Sequence, residues 1–89
     1  GGGVNEVLKA YKNSKNKISS NKLLAYLKQM NYIYPYHQAI GFYMEKAGYK
    51  EKILKLIEKF EMNYKFYLTY NMKEKSFSKR WQLYYPKGF

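Results

Sequence analysis

The chain has 89 residues, a formal net charge of +11, and neither cysteine nor aspartate. That length suits one domain with one core, and 46% hydrophobic with 20% aromatic residues can fill it. The missing cysteine excludes disulfides, thiol catalysis and most structural zinc sites. No apolar run approaches the roughly 18 residues of a membrane span.

Gly1, Gly2 and Gly3 read as a linker or cloning remnant ahead of a single α+β domain over 4–89, with the natural N-terminus expected elsewhere. Val4, Val7, Leu8 and Tyr11 recur at helical spacing and predict a short amphipathic helix over 4–13. After the polar loop 13–17, Ser19 or Ser20 can cap a second helix with Leu23, Leu24, Leu27 and Met30 on its apolar face. These two helices should pair as a hairpin, because neither buries its stripe alone. Residues 31–34 form a connector.

The stretch Pro35 to Tyr49 predicts the central helix. Proline suits the first helical position, and Gly48 suits a left-handed C-cap. Tyr36, Ile40, Tyr43, Met44 and Ala47 give one apolar stripe. Gly41, in mid-helix, costs about 1 kcal/mol relative to alanine, and close approach of another backbone is the usual reason for such a residue. A fourth helix opens at Lys50 and Glu51, burying Ile53, Leu56, Ile57 and Phe60 with Leu54 at the margin. Period two then replaces the helical period. Tyr64, Phe66, Leu68 and Tyr70 share one face, with Lys65, Tyr67 and Thr69 on the other. Residues 80–85 alternate likewise, with Trp81, Leu83 and Tyr85 on one face, and Pro86 ends that strand. The expected fold is α+β, with four short helices packed against a C-terminal antiparallel β-hairpin whose long basic loop is 71–79.

No residues assemble into a catalytic signature. His37 is the only histidine and reads as structural or surface. The six acids are glutamates scattered among lysines, the serines sit in caps or loops, and there is no Gly-rich phosphate loop. An enzyme is therefore not expected, nor a cofactor. Lys73, Lys75, Lys79 and Arg80 alternate with Met72, Phe77 and Trp81, a pattern that can hold a phosphate backbone and stack on bases. The bland alternative is a solvated loop beside a strand whose Trp81 is core. Lys12, Lys15 and Lys17, with Lys9 and Lys22, form a second basic cluster opposed only by Glu6. The surplus tyrosines can instead present an aromatic patch to a protein. Sixteen of the seventeen basic residues are lysines, and Lys, Asn, Ile, Tyr and Phe all have AT-rich codons. A biased genome thus supplies positive charge without selection for binding.

Three stretches carry a family likeness: ISSNKLLAYLKQMN at 18–31, HQAIGFYMEKAGY at 37–49 and YLTYNMKEKSFSKRWQLYYP at 67–86. In them the chain resembles the C-terminal domain of AbiEi-type antitoxins, transcriptional regulators of type IV toxin–antitoxin and phage-defence systems. Ala39 and Ile40 stand where that family has arginine and leucine, and Asn71 stands near its Asp-Pro turn without the proline. The winged-helix DNA-binding half of such regulators has no counterpart in this stretch. The resemblance implies a cytoplasmic, non-enzymatic regulatory domain with antitoxin activity against a nucleotidyltransferase-like toxin. The alternative is an autonomous module that binds nucleic acid, such as duplex DNA, through its basic surface.

Overall fold

Six elements are found among residues 3–17, 19, 22, 25 and 36–89, which are the ones this computed structural model describes. They are helices α1 (Gly3–Ser14), α2 (Tyr36–Lys46) and α3 (Glu51–Glu58), then strands β1 (Phe66–Tyr67), β2 (Lys75–Ser78) and β3 (Leu83–Pro86). The α+β class holds. The expected second helix and the connector at 31–34 lie largely outside the described residues. Ser19 Oγ does accept the Lys22 amide N–H at 3.2 Å, the N-cap bond expected of a serine there. Among the described residues no helix is long and apolar enough to cross a membrane.

Helix α2 is the hub and packs against α1, α3 and β3. Its buried residues are His37, Gln38, Gly41, Phe42, Tyr43 and Met44, which spread over more of the helix than one stripe. Tyr36, expected inside, is 62% exposed, and Ile40 is half-buried. A helix with neighbours on several sides buries polar as well as apolar positions, so its amphipathic period is blurred. Its C-terminus is a Schellman motif. Gly48 has φ +86°, its amide donates to the Glu45 carbonyl at 3.1 Å, and the Tyr49 amide donates to the Met44 carbonyl at 3.0 Å.

Helix α1 lies against this hub. Leu8 and Tyr11 pack on the core, the Tyr11 ring stacks on Tyr43 at 5.2 Å, and the Tyr49 hydroxyl donates to the Tyr11 carbonyl at 2.9 Å. Helix α3 buries Ile53, Leu54 and Ile57 and leaves Leu56 half-buried, so Leu54 and Leu56 exchange the places expected of them.

The expected hairpin is corrected. The sheet has three strands in the order β1-β3-β2. Strand β3 pairs antiparallel with β2, which lies inside the expected loop, with Phe77 opposite Tyr84. Strand β1 is reduced to two residues and pairs parallel with β3, Phe66 opposite Leu83 and Tyr67 opposite Tyr84. Trp81 and Leu83 are fully buried, and Tyr85 packs on Phe42 with ring centroids 4.8 Å apart, so the inward face expected for 81, 83 and 85 is correct. Gly41 makes room for this sheet. A Cβ there would overlap ring carbons of Trp81, so the close approach is a side chain's rather than a backbone's.

Gln38 joins α2 to the sheet from a fully buried position. Its amide nitrogen lies 2.9, 2.8 and 2.9 Å from the carbonyl oxygens of Tyr64, Trp81 and Gln82. Two N–H groups serve three acceptors, so one bond is shared. These three oxygens require the nitrogen of the side-chain amide to face them.

Candidate nucleic-acid interface

Strand alternation sorts the sheet residues. Phe66, Ser76, Ser78, Leu83 and Tyr85 are buried or half-buried, whereas Tyr67, Lys75 and Phe77 are exposed and share the outer face with Tyr84. The register brings three outer rings into one row across the strands. Tyr67 and Tyr84 stack with centroids 4.8 Å apart and planes 27° apart, and Phe77 lies 4.8 Å from Tyr84 on the other side at 54°. Tyr67 is 57% exposed and Phe77 37%. Two ammonium groups lie over the row: Lys75 Nζ is 5.8 Å from the Tyr84 centroid and Lys65 Nζ is 5.6 Å from that of Phe77. Both are cation–π contacts that hold positive charge beside an apolar platform. Tyr64 and Tyr70, flanking β1, are more exposed still.

Of the residues proposed from sequence, Lys75 and Phe77 therefore lie in this row. Lys73 and Lys79 are exposed, at either end of β2. Lys87, beyond β3, pairs with Glu74 at 3.8 Å, a distance and exposure that make the pair weak. Tyr67, Tyr84 and Lys65 join the site unannounced. The alternation around Tyr67 was readable, but its proximity to Tyr84 depends on a parallel pairing that local sequence does not encode.

Arg80 has a different setting. Its guanidinium is held by three glutamates from two helices. Nη1 donates to Glu45 at 2.9 Å, Nη1 and Nη2 grip Glu51 at 3.1 and 2.7 Å, and Nε donates to Glu58. Its face lies 5.2 Å from the Trp81 ring centroid, and the Trp81 indole N–H donates to the other Glu45 oxygen at 2.9 Å. These carboxylates hold the guanidinium more firmly protonated than usual, and Arg80 in turn holds the Glu51 carboxyl below its ordinary range. The chain's only arginine is thus engaged within the fold. The cage gathers three of the six glutamates, and outside it sixteen lysines face only Glu6, Glu61 and Glu74.

The second basic cluster stands on and after α1. Lys9, Lys12, Lys17 and Lys22 are exposed and Lys15 is half-buried, its Nζ close to Gly48. Among the described residues no carboxylate forms an ion pair with any of the five.

The remaining places offer less chemistry. A cleft of about 390 Å³ is lined by Phe42, Glu45, Lys46, Ser78 and Tyr85, but Glu45 serves the cage and Lys46 donates to the Phe89 carbonyl at 2.6 Å. A smaller hollow of about 160 Å³ lies between α1 and α2, lined by Ala10, Tyr11, Ser14, Met44 and Tyr49. His37 is buried beside Phe60, its basicity lowered by desolvation and partly restored by a hydrogen bond to the Glu61 backbone. Among the described residues no three metal-ligating side chains gather where they could share an ion. The chain matches no protein-family model, no curated protein and no solved structure.

Proposed function

We propose that this chain is a non-enzymatic nucleic-acid-binding module whose grip is largely independent of sequence. One observation carries the reading: Lys65 and Lys75 lie over an outward aromatic row while half the acids are gathered around Arg80. Lysines give point-charge contacts to phosphates, whereas bidentate reading of base edges calls for arginine's planar fork. The test is fluorescence anisotropy of labelled nucleic acid across a salt series. Log affinity should fall steeply with log salt, as expected for several phosphate contacts. Changing Lys73, Lys75 and Lys79 together to alanine should flatten that slope. Micromolar or weaker binding with no salt dependence would assign the +11 charge to genome bias.

A second reading keeps the antitoxin-type regulatory domain, with the cytoplasmic location that it carries. Its support is that two stretches of the resemblance meet in one joint: Gly41 and Glu45 of the first contact Arg80 and Trp81 of the second. In that reading the domain counters a nucleotidyltransferase-like toxin, and the winged helix of such regulators supplies DNA binding. Rescue of growth on co-expression with such a toxin tests it, and failure to rescue would remove it.

A further inference from the structure

We infer that Tyr67, Tyr84 and Phe77 form a stacking platform for unpaired bases, so that the outer sheet face takes single-stranded nucleic acid in preference to duplex. This deepens the nucleic-acid reading and rests on it. The rings cross all three strands in one row, which is most exposed at its Tyr67 end, while at the other end Phe77 lies beneath the Lys65 ammonium. A nucleobase can continue such a row because every base has a π-face. In a duplex those faces are covered by neighbouring base pairs, and only the edges remain to be read.

Edge reading is what this surface lacks. The one arginine is enclosed by Glu45, Glu51 and Glu58, and the ring row carries lysines instead. Lys65 and Lys75 bring positive charge within 6 Å or so of the rings, where the phosphates of a strand stacked on the row would run. The occupant is thus a chain that offers aromatic faces and negative charge together. Single-stranded DNA and RNA share that chemistry. An acidic peptide offers the charge without the faces.

The experiment uses the whole chain with a labelled oligothymidine, a labelled oligouridine and a duplex of equal length, at one salt concentration. Fully buried Trp81 reports by its emission whether each variant is folded. Both single strands should bind more tightly than the duplex, the stronger of the two identifying the sugar preferred. Tyr67→Ala, at an exposed position, should weaken single-strand binding about tenfold and duplex binding by a clearly smaller factor. Tyr84→Leu, which keeps apolar bulk beneath the row, should do the same. Duplex binding equal to or tighter than single-strand binding, with both ring variants neutral, would overturn the platform and leave the broader reading standing. Polyglutamate competing as well as unlabelled oligothymidine would also overturn it, since charge alone would then suffice. Absence of binding to any of the three nucleic acids would overturn both.

Discussion

The indole of Trp81 occupies the space into which a side chain at Gly41 would project. Glycine in mid-helix ordinarily weakens a helix by about 1 kcal/mol relative to alanine, so Gly→Ala is usually stabilising there. Here the sign reverses. Gly41→Ala should destabilise by about 3 kcal/mol, because the neighbour that must give way is a rigid ring fixed by its own N–H bond to Glu45. Urea denaturation measures it. A Gly41→Ala/Trp81→Leu double variant should be less destabilised than the two single changes summed, because the smaller side chain removes the clash.

Gln38 gives a second prediction, with an inverted pH dependence. Gln38→Leu strips the donor from three carbonyl oxygens and should cost roughly 3 kcal/mol. Gln38→Glu places a carboxylate against the same oxygens, which raises its folded-state pKa above the unfolded value of about 4.3. The neutral acid can still donate one bond. Stability of this variant should therefore be greatest below that unfolded value and fall as pH rises through the raised one. Denaturation midpoints from pH 4 to 8, compared with those of the parent chain, would show it.

The cage around Arg80 predicts salt and acid sensitivity. Arg80→Ala leaves Glu45, Glu51 and Glu58 close together with no cation between them, so its melting temperature should fall most at low salt. In the parent, the lowered Glu51 pKa contributes stability that is present above the ordinary value of 4.5 and lost as pH falls through the lowered one. The variant lacks that contribution, so the two melting curves should converge in acid. Because Arg80 is engaged within the fold, its removal should leave the salt slope of nucleic-acid binding unchanged.

His37 predicts a separate titration. Burial lowers its pKa from 6.5, so the unfolded chain binds the proton first as pH falls. Its contribution is complete above pH 6.5 and is lost as pH falls from there through the lowered value. His37→Gln keeps a side-chain donor near the Glu61 backbone but does not titrate, so that part of the pH slope should disappear. Stability measured between pH 5 and 7.5 decides it.

The helical half was legible because its ends are marked by residue types with one physical use. Gly48 adopts the positive φ that its place after α2 implied, and Ser19 caps as a serine before a helix does. Gly41 signalled a close approach, but of a backbone, where the partner is the Trp81 side chain. Leu54 and Leu56 changed places because a helical period fixes spacing more tightly than it fixes which neighbour lies on which side. The β half was misread at β2. In Lys75–Ser78 the large apolar residue, Phe77, points outward and small serines point inward, so the strand lacks the usual contrast of faces. The cage was hidden for another reason. Glu45 closes α2, Glu51 opens α3 and Glu58 ends it, so only the packing of two helices brings the three together.

The parallel pairing of β1 sets an order on assembly. Strands β2 and β3 meet through a short local turn, whereas β1 is separated from β3 by residues 68–82, a stretch that includes β2, and must dock beside β3 across it. It is held there by amide donation from Phe66 to Gln82 and from Leu68 to Tyr84, each 2.9 Å long. A two-residue edge held this way closes last and opens first, so the Phe66 and Leu68 amides should exchange hydrogen sooner than those of β3. Tyr67 rides on that edge. One end of the ring row is therefore present only while β1 is docked, and strand closure and occupancy of the platform become a single linked equilibrium. A ligand stacked on Tyr67 would slow hydrogen exchange at two amides it never touches.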